Sequence, residues 1–209
     1  MQDILNHSVN PQSHTSSTLL ALVKAKDQDA WDRLATLYSP LVYHWCRRNG
    51  LQEEDARNVG QDVFLVVFQK IGEFRRERPG DTFRGWLRVI TRNKVRQHLQ
   101  RQQTSVIGVG GDNSARAIQE VADQKPDAGT LSQENRLLYQ QAVELIRGEF
   151  SESHVKAFLA TVLQNRSVAE TAGELQISAN AVYIARSRIL QRLRQEFAGL
   201  IDFDATETS

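Results

Sequence analysis

The sequence predicts an all-α protein in two parts, an N-terminal helical bundle and a C-terminal helix-turn-helix domain joined by a flexible linker. Three observations carry that prediction. From Thr18 onward apolar residues recur at helical spacing, and no alternating strand pattern lasts more than a few residues. Between Thr104 and Thr130 the chain lapses into Gly, Ser, Asp, Asn and Gln with Pro126, the composition of a linker and not of a core. Finally, Ser167 to Arg194 reads as two short amphipathic helices joined by a tight turn, with arginines crowding the second.

The elements follow in order. Residues 1–16 are polar and lack the basic start and apolar run of a secretory signal, so we expect a disordered leader and a cytoplasmic protein. The first domain is expected over 17–103. Leu19, Leu20 and Val23 open its first helix; Trp31, Leu34, Leu37 and Tyr38 mark a second, which Pro40 should interrupt or restart. Glu53 to Ile71 makes a third and Phe83 to Arg101 a fourth, and four such helices pack naturally as one bundle. The linker takes 104–130, the second domain 131–200 and a tail 201–209. In the second domain the stripe Leu138, Val143, Ile146, Val155, Phe158, Leu159 and Val162 leads into the helix-turn-helix.

Two helices of the first domain have unusual faces. On the third, Asn58, Gln61, Asp62, Leu65 and Gln69 share one side, while Val59, Val63, Val66 and Val67 point inward. The remaining flank, through Phe64 and Phe68, is apolar as well, which predicts a helix central to its bundle. Leu65 is a leucine within a polar stripe, a candidate anchor for a partner protein. On the fourth helix Arg84, Arg88, Arg92 and Arg96 recur every four residues, opposite Phe83, Leu87 and Ile90. Like charges at that spacing repel, and no acid of the helix breaks the ridge. The sequence therefore calls for an external counter-charge, with DNA phosphates the obvious one. Before this helix lies a basic loop, Arg75-Arg76-Glu77-Arg78-Pro79-Gly80-Asp81-Thr82, bracketed by Phe74, Phe83 and Trp86. Rings interleaved with cations suit unpaired bases.

In the helix-turn-helix, Val168, Ala172 and Leu175 stripe the first helix, and Ser178 is a good N-cap for the second. Val182, Ala185, Ile189 and Leu193 form the inward stripe of that second helix. Asn180, Ile184, Ser187 and Gln191 point away from it, flanked by Tyr183, Arg188 and Arg194. An outward face of this kind suits a major groove.

With these residues in view, the chain from Ser17 to Phe197 resembles the extracytoplasmic-function (ECF, group 4) sigma factors of the sigma-70 family, promoter-recognition subunits of RNA polymerase. Asp55-Ala56-Arg57-Asn58-Val59-Gly60-Gln61-Asp62-Val63-Phe64 resembles the family's signature for binding the clamp helices of the polymerase. Phe83-Arg84-Gly85-Trp86-Leu87-Arg88-Val89-Ile90-Thr91-Arg92-Asn93 resembles the segment that melts and reads the minus-10 element. The helix-turn-helix corresponds to the minus-35 reader. Gln176 stands at a turn position that is often glycine in the family.

The resemblance implies binding through Asn58, Gln61, Asp62 and Leu65 to the core polymerase, through its beta-prime and beta subunits. For minus-10 DNA it implies Phe74, Arg84, Trp86, Arg88, Arg92, Asn93 and Arg96, with Asn93 and the surroundings of Phe74 contacting a flipped-out base. For minus-35 DNA it implies Asn180, Tyr183, Ser187 and Arg188. An anti-sigma factor is a further candidate partner.

Composition supports this reading mainly by what it excludes. A net charge of +1 over 209 residues is near neutral, but between Asp81 and Gln103 the only acid is Asp81 itself, so the positive charge is local. A single cysteine, Cys46, rules out an intrachain disulfide, and the five histidines lack metal-ligand spacing. No nucleophile and base are paired, which points away from an enzyme, a metal or a cofactor. Val106-Ile107-Gly108-Val109-Gly110-Gly111 lacks the Lys and Ser/Thr of a phosphate loop. The leading alternative is a helix-turn-helix regulator with an N-terminal effector or dimerisation domain, and the next a helical interaction module without a DNA role. The arginine ridge discriminates, since an effector domain has no use for it.

Overall fold

Local capping chemistry sets most helix starts in the structure, a computed structural model that describes residues 18–78, 80–105 and 128–203. Thr18 and Asp27 cap α1 (Leu19–Lys24) and α2 (Gln28–Arg48), each accepting a backbone N–H three residues on. No side chain caps α3 (Glu53–Lys70), but Glu53, Glu54 and Asp55 fill its first turn, where acids complement the helix dipole. A short 3₁₀ turn, Ile71–Glu73, ends α3. The helix α4 spans Phe83–Ser105 and α5 spans Ala128–Ile146. Ser151 caps α6 (Glu152–Phe158), which a π turn over Leu159–Leu163 extends. Ser167 and Glu170 form a reciprocal capping box at α7 (Val168–Leu175), and Ser178 caps α8 (Ala179–Glu196), as its position in the sequence predicts. Among the described residues the protein is all-α.

One expectation fails at Pro40, which neither ends nor restarts the second helix: α2 runs through it. Proline removes an internal hydrogen bond at a cost of about 3 kcal/mol. Leu37, Tyr38, Leu41 and Val42, however, are all fully buried on either side of it, and their packing holds the segment helical. A second difference concerns α3. Val59, Val63 and Val67 are buried as the pattern requires, with Val66 half-buried. The Phe64 and Phe68 flank is not enclosed by further helices, so α3 is not central. Both rings meet Trp31 edge-on, at 6.3 and 5.1 Å, and line an open groove.

The core is shared by the two halves. Leu34, Tyr38, Val63 and Leu87 belong to the same buried cluster as Leu138, Val143, Phe158, Ile189 and Leu193. A smaller cluster of Ala157, Ala172, Val182 and Ala185 holds the helix-turn-helix together. Helix α5 already covers the end of the segment expected as linker, and Thr130 there is buried. Ile201 and Phe203, in the expected tail, are buried too. The leader 1–16 and the glycine-containing stretch 106–111 lie outside the described residues.

Cys46 is fully buried in this core, and burial pushes its thiol up to about 12. It is a structural thiol, without thiolate character. No described helix is long and apolar enough to cross a membrane, and no described His, Cys, Asp and Glu group could hold a metal ion.

Candidate nucleic-acid and polymerase interfaces

Helix α3 carries its polar stripe outward. Asn58 and Gln61 are exposed, Asp62 is half-buried, and Leu65 is 61% exposed, far above what an aliphatic side chain needs for packing. Gln61 and Leu65 also edge the groove between α2 and α3, about 770 Å³ in volume, whose floor includes Trp31, Pro40, Tyr43 and Phe64. Sequence reasoning places the stripe but misses the groove, because a hollow depends on which neighbours are absent. Pro40 on the groove side was its one available sign.

On α4 the ridge divides. Arg92, Asn93 and Arg96 are exposed. Arg84 and Arg88 are half-buried and held by α5: Arg84 donates to Asn135 Oδ1, and Arg88 forms an ion pair with Glu134. Glu134 is only 1% exposed, and its other oxygen accepts from Trp45 Nε1 at 2.7 Å. The Arg88 guanidinium also stacks 5.0 Å from the Trp45 ring centroid. The counter-charge that the ridge demanded from outside is thus supplied to Arg88 by Glu134 of the second half of the same chain, and Arg84 finds a neutral acceptor there. The overlooked signal was Glu134 itself. It shares the helical stripe of Leu138 and Ala142, and a carboxylate on an inward stripe requires a cation opposite.

The aromatic set ahead of α4 is a packed cluster. Phe74 is 5% exposed and lies 5.4 Å from Phe83 and 5.3 Å from Trp86, with the Lys24 ammonium 5.5 Å from its ring. Trp86 is half-buried. Asp81 organises the loop by accepting from the backbone N–H groups of Glu77 and Arg78 at 3.1 and 2.9 Å. Thr82 then caps α4 through Gly85 N at 2.9 Å.

The helix-turn-helix surface is open. Asn180, Ser187 and Arg188 are exposed and Tyr183 is 57% exposed, while Val182, Ala185, Ile189 and Leu193 are fully buried beneath them. Gln176 ends α7 in the left-handed conformation at φ 53°, where its N–H still reaches Gly173 O. That geometry is what glycine adopts most cheaply.

Known proteins resemble this chain in sequence. Residues 34–105 match the Sigma-70 region 2 family. The RNA polymerase sigma factor CnrH of Cupriavidus metallidurans is 26% identical over 199 residues, covering 94% of this chain and 99% of that protein. Among solved structures, CnrH in complex with the cytosolic domain of CnrY is 22% identical, covering 84% of this chain and 92% of that one, at a TM-score of 0.34. The RsbN–BldN complex is 19% identical, covering 84% and 97%, also at 0.34. The chain is thus similar to the Sigma-70 region 2 family over residues 34–105, a stretch that holds both the polar stripe of α3 and the basic ridge of α4, and similar along nearly its whole length to an RNA polymerase sigma factor.

Proposed function

We propose that the molecule divides the work of initiation among three surfaces. The α3 stripe of Asn58, Gln61, Asp62 and Leu65 docks on core polymerase, through its beta-prime and beta subunits. The α4 face, through Arg84, Trp86, Arg88, Arg92, Asn93 and Arg96, holds the displaced strand of the minus-10 element, with Phe74 behind it. The α8 face reads duplex minus-35 DNA through Asn180, Tyr183, Ser187 and Arg188. An anti-sigma factor that competes for these surfaces is part of the same reading. The protein would work in the cytoplasm beside the chromosome. On this reading the first domain ends near 103, the second begins near 131, and the stretch between is a tether.

The observation that supports this best is the exposure of Leu65 beside an apolar groove. A leucine that is largely exposed and borders a hollow has the properties of an interface anchor. The test is a Leu65→Asp variant in a pulldown with purified core polymerase. We expect binding to weaken by about 2 kcal/mol or more, the amount typical of a hot-spot residue, with the circular dichroism spectrum unchanged. Wild-type affinity would remove α3 from the polymerase interface.

A further inference from the structure

The outer face of α8 has an apolar centre. Ile184 and Tyr183 are two of the five large hydrophobic side chains left exposed among the described residues, at 40% and 57%. On a helix the surface neighbours of Ile184 are the residues at i−4, i+3, i+4 and i+7, which here are Asn180, Ser187, Arg188 and Gln191. All four are polar and exposed. Ile184 therefore stands in the middle of the face that we assign to duplex DNA, ringed by hydrogen-bonding groups and unable to make such a bond itself. Helix propensity does not favour it there, since a β-branched residue is a poorer helix former than the Lys, Arg or Gln that exposed positions tolerate best.

The surrounding charge narrows the kind of partner. From Ala179 to Gln195 α8 contains no acid. The half-buried Arg192 is neutralised by Glu149 and Glu196, at 2.6 and 2.7 Å, whereas Arg188 on the outer face is exposed. Outward, the helix presents a cation beside an isoleucine, a pairing that suits a polyanion with an apolar group within reach. In the major groove of DNA that group is the 5-methyl of thymine.

We propose that Ile184 is a specificity-determining residue, which selects thymine at one position of the minus-35 element by packing on its 5-methyl group. This assignment rests on the reading of α8 as the duplex-binding helix and names a base which that reading left open. Ile184 is the sixth residue of α8, within its first two turns, the part of a recognition helix that meets base edges. Two effects act together. The methyl group leaves water against the isoleucine. Cytosine, the other pyrimidine, lacks the methyl and would turn its amino group toward a side chain that cannot accept from it. Asn180 and Arg188, on either side, remain for hydrogen bonds to neighbouring bases, and Tyr183 borders the contact about 100° round the helix.

The experiment uses the full-length chain bound to core polymerase. Duplexes retained from a library randomised across the upstream element define the site. Each thymine of either strand is then replaced singly by deoxyuridine, which removes the methyl group and alters no hydrogen bond. At one thymine the replacement should weaken wild-type binding roughly three- to tenfold, the effect of returning one methyl group to water. Ile184→Ala and Ile184→Ser should respond to the same replacement by less than about twofold. With cytosine at that position, 5-methylcytosine should recover part of the lost affinity in the wild type and none in the variants. The side chain is exposed, so both variants should keep the wild-type melting temperature, and either one that folds suffices.

No effect of deoxyuridine anywhere in the site, or an effect of equal size in the variants, overturns the proposal, as does a selected site without thymine. If Ile184→Ala weakens assembly with core polymerase while the thymine response persists, the isoleucine faces a protein and the proposal falls as well. Arg188→Ala and Asn180→Ala separate the two readings. If neither changes duplex binding, the assignment of α8 to minus-35 DNA falls. If either weakens it while deoxyuridine has no effect, only the thymine contact falls.

Discussion

The two basic helices of this protein, α4 and α8, are built alike and placed differently. Each has a buried apolar stripe and an arginine-bearing outer face. On α8 Asn180, Ser187 and Arg188 of that face are exposed. On α4 half of the ridge is held by Glu134 and Asn135 from the other end of the chain. Amphipathic design therefore fixes what a surface can bind, while tertiary placement decides whether it is free to bind. A duplex-reading helix can stand open at little risk, because non-specific duplex contacts are weak and salt-sensitive. A cluster of rings and cations suited to any single strand is less selective, and here it is the one that is covered.

The comparison breaks most severely at Phe74. If this ring is both a wall of the base site and part of the fold, Phe74→Ala should cost about 3 to 5 kcal/mol of stability, the range for truncating a buried phenylalanine. Urea unfolding measures it. A loss under 1 kcal/mol would mean that the ring cluster is loosely packed and that Phe74 is free to serve DNA directly. On a promoter whose minus-10 region is opened by mismatches, the same variant should remain defective, whereas full rescue would leave Phe74 a melting role only.

Next in size is the effect on duplex recognition. Arg188→Ala or Asn180→Ala should each weaken minus-35 duplex binding by about 1 to 3 kcal/mol, the worth of a good base contact. Single-strand binding should stay unchanged for both variants.

The smallest expected effect is a gain. Gln176→Gly relieves a left-handed conformation that costs a non-glycine residue roughly 1 kcal/mol, so the melting temperature should rise slightly. No rise would mean that the Gln176 side chain contributes enough at the turn to offset its backbone strain.

How much of this was legible in the sequence differs by the range of the interaction. Inward stripes of α3 and α8, the Ser178 cap and the linker composition are local properties, and periodicity reveals them. The polar stripe with Leu65 was legible for the same reason. Pro40 misled because a local breaker was outweighed by the burial of Leu37, Tyr38, Leu41 and Val42 beside it on the same helix, which depends on distant parts of the chain. The division of the arginine ridge was hidden because Glu134 lies 46 residues from Arg88, and no pattern within one helix encodes a partner on another. Glu134 on an apolar stripe signalled only that some cation was needed. Burial of Phe74 was likewise unreadable, because an aromatic among arginines is consistent with stacking on DNA and with a small core.

The buried thiol of Cys46 reaches beyond packing. Oxidants and electrophiles attack thiolates, and a group pushed up to about 12 presents almost none at neutral pH. The chain has no second cysteine and only one methionine, at its first position. It therefore carries almost no sulfur chemistry with which to register oxidative stress itself, and any such stimulus must arrive through a protein that binds it, as a change of occupancy and not a change of covalent state.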